Sequence, residues 1–149
     1  MVLWFVGFAL AVTWLVFHDP AIDYRMVTLG ALVPNVLLLV PVVVLAGVML
    51  ATRGHRHARR RWLALPIGMF LHLVADGAWA DAGTFWWPFS GGDLDWGFPA
   101  FDRAPAAVIV QELAGLGLIV WFVVRFRLTD PAVRGNFFRT GRLPRDRVA

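Results

Sequence analysis

Residues 106–124, AAVIVQELAGLGLIVWFVV, decide the fold class. The run carries a single charge, Glu112, and at about 1.5 Å per residue a helix of this length matches the roughly 30 Å of a bilayer's hydrocarbon core. Three other runs have the same character, at 1–17, 26–52 and 62–80; the first is slightly short and the second is long enough to tilt or bend. Run 1–17 lacks the charged leading region and small-residue cleavage pattern of a secretory signal, so it reads as a retained helix. The whole composition agrees. Of 149 residues 59% are hydrophobic and 16% charged, with a mean hydropathy of +0.66, whereas a soluble domain carries about a quarter charged residues. The sequence therefore predicts an all-α, integral-membrane four-helix bundle over residues 1–124, followed by an arginine-rich tail over 125–149.

Charge sets the expected orientation. All 14 basic residues are arginine, against nine Asp and one Glu, a composition typical of a GC-rich bacterial genome. Segment 53–61 holds five arginines with His55 and His57, and the tail holds seven against Asp130 and Asp146. Segment 81–105 carries Asp81, Asp93, Asp95 and Asp102 against Arg103 alone, and segment 18–25 carries Asp19, Asp23 and Arg25. By the positive-inside rule both basic segments lie in the cytoplasm and both acidic ones outside, so both termini of this multi-pass inner-membrane protein are expected inside. Tryptophans mark the same two levels: Trp4, Trp62 and Trp121 inner, Trp14, Trp79, Trp86, Trp87 and Trp96 outer. A pI near 11.2 invites a nucleic-acid partner, but arginines confined between apolar runs suit anionic lipid headgroups instead. In the tail, Asp130-Pro131 is a helix start and Gly141 a stop, which predicts a short interfacial helix.

Several chemistries are excluded. Without cysteine there is no disulfide framework, thiolate metal site or cysteine nucleophile. No phosphate-cradling glycine loop, nucleophile elbow or His-Glu-x-x-His zinc helix occurs, and Gly115-Leu116-Gly117 reads as close helix packing.

Ionisable residues inside a membrane are costly and each asks for a role. His72 and Asp76 stand four residues apart, on one helical face. Counted along the expected spans, Asp76, Glu112, His72 and Asn35 lie roughly 6, 9, 12 and 14 Å below the outer boundary, within one stratum. Pro34 removes a backbone donor and disfavours helix at Val33, so a kink or break is expected beside Asn35. Such a cluster serves either as interhelical glue or as a metal- or proton-handling site. His55 and His57 stand among arginines that repel a cation.

Asp19-Pro20-Ala21-Ile22-Asp23-Tyr24-Arg25, Leu29-Gly30-Ala31-Leu32-Val33-Pro34-Asn35, Leu65-Pro66-Ile67-Gly68, His72-Leu73-Val74-Ala75-Asp76-Gly77 and Phe85-Trp86-Trp87-Pro88-Phe89 together resemble the membrane-bound, metal-dependent hydrolase family whose founding members are LexA-regulated. The resemblance covers most of the chain. It implies a divalent metal ion held by His72, Asp76 and the side-chain carbonyl oxygen of Asn35, with Glu112 or Asp23 completing the shell or acting as base, and a lipid-like or envelope substrate at the outer leaflet. Asn35 stands where the family carries a carboxylate, and no histidine occurs in 36–50, so the implied site is degenerate. The competing expectations are a non-catalytic membrane protein with a structural polar cluster and a small proton-coupled transporter.

Overall fold

The computed structural model describes residues 1–91 and 103–144, and every regular element among them is helical. These are α1 (Val2–Phe17), α2 (Tyr24–Ala31), α3 (Leu39–Ala51), α4 (Arg56–Trp62), α5 (Ala64–Asp76), a 3-10 turn (Ala78–Ala80), α6 (Ala82–Phe85), α7 (Pro105–Arg125) and α8 (Pro131–Thr140). The expected Asp93, Asp95, Asp102, Trp96 and the final five residues lie outside the described residues. Among the described residues one helix, α7, is long and apolar enough to cross a membrane; α1 and α3 are apolar but shorter.

Local chemistry explains where the helices start and stop. Asp23 caps α2 through the Arg25 amide, and Asp130 caps α8 through the Ala132 amide, with Pro131 in the first turn. Helix α5 ends at Gly77 (φ 70°) and α8 at Gly141 (φ 73°), left-handed positions where a side chain is strained. Helix α1 has no capping side chain of its own; its first-turn Leu3 amide donates to Glu112 of α7 at 3.2 Å.

The run 26–52 is two helices, not one. Helix α2 stops at Ala31, residues 32–38 are non-helical, and α3 starts at Leu39. The break falls at Pro34 for the reason given above, but it reverses the chain where a tilt would have sufficed. Tyr24, at the start of α2, donates its amide to Gly141 beyond α8, while Leu38 donates to Phe85 beyond α5. Residues 24–38 thus run from one end of the bundle to the other, and α3 runs back towards α4.

Helices α1 and α7 lie side by side and parallel. Leu3 meets Glu112, Gly7 meets Gly115, and Trp14 meets Phe126. Met1 therefore sits at the end of the bundle opposite the 125–144 tail, and the 18–25 connection sits with the tail: Leu143 donates to the Pro20 carbonyl at 3.1 Å. This corrects the expected placement of both termini at one face. Among the described residues the chain makes five traverses of the bundle, formed by α1, residues 24–38, α3, α5 and α7. Among the described residues every arginine except Arg103 belongs to segments gathered at the tail end.

Two close crossings hold the helices. A Cβ at Gly7 or Gly115 would strike the backbone of the facing helix, and the same holds for Gly30 against Leu65 and Gly68 against Val27, between α2 and α5. Small residues permit such approach where apolar packing alone gives little specificity. Gly117 faces open space, so only the first glycine of the expected pair packs. At the tail end Leu10, Trp14, Tyr24, Phe122, Phe126 and Leu143 form one buried cluster that joins α1, α2, α7 and the tail.

Candidate functional site

Each polar residue singled out from the sequence has its own partner. His72, buried on α5, has Nδ1 2.7 Å from the carbonyl of Ala31, the last residue of α2, so Nδ1 carries the proton. Its ring stacks on Phe5 of α1 at 4.0 Å between centroids. One side chain thus ties α5 to α2, whose break leaves that carbonyl without a helical donor.

Asp76, one turn further on, has a side chain 2% exposed and pairs with Arg103 at 3.1 Å. Arg103 also bonds the Asp76 main-chain carbonyl and donates to Gln111 Oε1 at 3.2 Å. A single guanidinium joins the end of α5 to the start of α7 and offsets the partial negative charge at a helix C-terminus. Glu112 pairs with the Met1 amino group at 3.1 Å and accepts from the Leu3 amide, which places a carboxylate at the positive end of α1. Trp4 Nε1 donates to the Ala75 carbonyl at 2.9 Å and closes this end of the bundle.

Asn35 donates through Nδ2 to the Val33 carbonyl at 2.9 Å, while its buried Oδ1 has no hydrogen-bond partner among the described residues. Asp23 lies at the other end of the bundle. Its two oxygens pair with Arg25 at 2.9 Å and Arg61 at 3.2 Å. A shared shell with His72 and Asp76 is ruled out for Asp23, because α1 carries the 18–25 connection to the tail end before the chain turns back.

Among the described residues no three of His, Asp and Glu come together as metal ligands. The donor set does not fit the implied divalent ion: Asp76 and Glu112 are each neutralised by a separate cation, His72 is oriented by a backbone carbonyl, Asn35 supplies no charge, and Asp23 is remote. Beyond this end, the exposed Asp81 caps α6 through the amides of Gly83 and Thr84, and its hydrogen bonds with Thr84 hold its carboxyl below the ordinary carboxylate range.

Arg103 is the partner of Asp76 that sequence reasoning missed. Its signal was present: it is the one cation in the acidic 81–105 segment, two residues before a helix that begins with Pro105. The chain matches no family model, no curated protein and no solved structure.

Proposed function

We propose that this chain is a multi-pass protein of the bacterial inner membrane whose internal polar residues tie helices together and hold no catalytic metal, with its arginine-rich end at the cytoplasmic leaflet. The membrane assignment rests on α7, in which Gly115 and Phe122 are buried while Ile109, Val110, Leu113 and Val124 stand 60–65% exposed. Contiguous apolar surface of that extent suits lipid contact and is rarely left facing water. With the five traverses described above, the 18–25, 52–63 and 125–144 segments share the cytoplasmic side, and Asp76, Asp81 and Arg103 face the exterior. Glu112, paired with the Met1 amino group, needs no charge balance from a bound ion.

The non-catalytic part rests on the separate partners of His72, Asp76 and Glu112. The bonds of His72 and Glu112 each bridge two helices and that of Asp76 ties α5 to the segment leading into α7, as polar side chains do when they act as glue in lipid. The runner-up is a metal-dependent hydrolase of the LexA-regulated kind, favoured by the unsatisfied Asn35 Oδ1 at a backbone break. Elemental analysis of protein purified in detergent separates the two. The proposal expects no stoichiometric divalent metal in the wild type or in Asn35→Asp. Stoichiometric metal that disappears in His72→Ala overturns it in favour of the hydrolase.

A further inference from the structure

At the tail end of the bundle three segments distant in sequence line a half-open cavity of about 430 Å³, within the roughly 300–1,000 Å³ usual for small-molecule sites. Five arginines line it: Arg25 from α2, Arg60 and Arg61 from α4, and Arg139 and Arg142 from the end of α8 and just beyond. Its one acidic lining residue is Asp23.

Asp23 does not neutralise this charge; it organises it. Its side chain is 4% exposed, with Oδ1 taken by Arg25 Nε at 3.1 Å and Oδ2 shared between Arg25 Nη2 at 2.9 Å and Arg61 Nε at 3.2 Å. Arg25 spends its remaining nitrogen on the carbonyls of Phe138 and Arg139, at 2.8 and 3.0 Å, which closes the C-terminus of α8. Arg25 is therefore consumed internally and clamps α2 to α8. Arg61 uses only Nε in its ion pair and keeps both terminal nitrogens. Arg60, Arg139 and Arg142 have no carboxylate partner among the described residues. Four guanidinium groups thus line one cavity, Arg61 fixed by the buried Asp23 and the other three brought there by α4 and the end of α8 that Arg25 clamps, at a repulsive cost that an anion would relieve.

We propose that this cavity binds a phosphoryl group, supplied by the headgroup of an anionic lipid or by a soluble phosphate ester. A guanidinium fork pairs with two phosphoryl oxygens at once, and a phosphoryl group has enough oxygens to receive forks from α4 and α8 together. The inference stands on the cavity itself and not on the membrane assignment, although anionic headgroups gather at such an end.

The test is isothermal titration calorimetry on the full chain in a non-ionic detergent, with two probes: inorganic phosphate and short-chain phosphatidylglycerol. The variants are Arg60→Gln with Arg142→Gln in the cavity, and Arg53→Gln with Arg134→Gln outside it, an equal loss of charge. Arg60→Lys with Arg142→Lys keeps the charge but removes the forks. None of these arginines makes an ion pair among the described residues, and unchanged thermal melts verify folding. At least one probe binds, and the cavity Gln pair weakens it by about tenfold or more, the Lys pair by less, and the outer pair by little. Phosphatidylglycerol binding that phosphate does not displace identifies a lipid headgroup; phosphate binding with no preference for the lipid identifies a soluble ester. Equal weakening by the two Gln pairs, or no binding of either probe, overturns the proposal.

Discussion

Replacing Arg103 with Gln removes the cation opposite a carboxylate that is 2% exposed, whereas replacing Asp76 with Asn leaves a guanidinium that is 19% exposed and keeps Gln111 as acceptor. The two changes break the same pair with unequal consequences. A buried charge stripped of its partner costs about 3–5 kcal/mol, so Arg103→Gln carries the larger loss. Asp76→Asn forfeits a charge-assisted bond, about 1.5–3 kcal/mol, while the freed arginine can turn to solvent. In Arg103→Gln with Asp76→Asn the stranded charge is gone, and the double variant is no less stable than Arg103→Gln alone. At roughly 2–4 °C per kcal/mol for a chain of this size, Arg103→Gln lowers the melting temperature by roughly 6–20 °C. Thermal melts in non-ionic detergent, read by tryptophan fluorescence, measure the cycle, since Trp4 bonds the Ala75 carbonyl beside the pair. Equal costs that simply add in the double variant would refute the pairing.

Two other consequences are open to measurement. Gly68→Ala drives a Cβ into the Val27 backbone and destabilises by about 1–3 kcal/mol, whereas Gly117→Ala meets open space and gains up to about 1 kcal/mol of helix propensity; similar melts for the two variants would remove the α2–α5 crossing from the account. The Asp81 carboxylate, held below its ordinary 3.8 by Thr84, caps α6 at neutral pH, and its contribution is lost as pH falls through the folded-state midpoint. A carboxyl carbon NMR titration of Asp81 therefore gives a midpoint below 3.8, and one at or above that value contradicts the cap.

Helices bounded by strong local chemistry were legible in the sequence. Helix α7 follows from a long apolar run broken only by Gln111 and Glu112, α8 from Asp130-Pro131 and Gly141, and the Gly115 contact from the need for small residues at a close crossing. The direction of the chain was not legible, because it turns on one event, whether Pro34 tilts a helix or ends it. Taken as one span, 26–52 gives an even number of crossings and sends 18–25 to the acidic side. Taken as a reversal, it gives five traverses and returns 18–25 to the arginines. Tryptophans could not arbitrate: turning α1 over moves Trp4 and Trp14 to opposite ends, yet each end keeps its aromatic residues. The charge on 18–25 misled for a physical reason. Asp23 is spent on Arg25 and Arg61, and acidic residues weigh little in orientation.

The candidate site was legible as a set of costly residues and illegible as a set of partners. The i, i+4 spacing places His72 and Asp76 on one face of α5, and both are buried. Their partners, the Ala31 carbonyl and Arg103, come from a broken helix and a connection whose paths depend on tertiary structure. A histidine and a carboxylate one turn apart therefore look alike whether they share an ion or each secures a different neighbour.

The path of the chain is tested most directly by single-cysteine labelling, since the protein has no cysteine of its own. In cells, Asp19→Cys, His57→Cys and Asp81→Cys are treated with a membrane-impermeant maleimide, before and after permeabilisation. The five-traverse membrane arrangement predicts that position 81 labels in intact cells once the outer envelope is opened, while 19 and 57 label only after the inner membrane is permeabilised. Positions 19 and 81 labelling together, with 57 protected, would contradict it and restore the four-span arrangement.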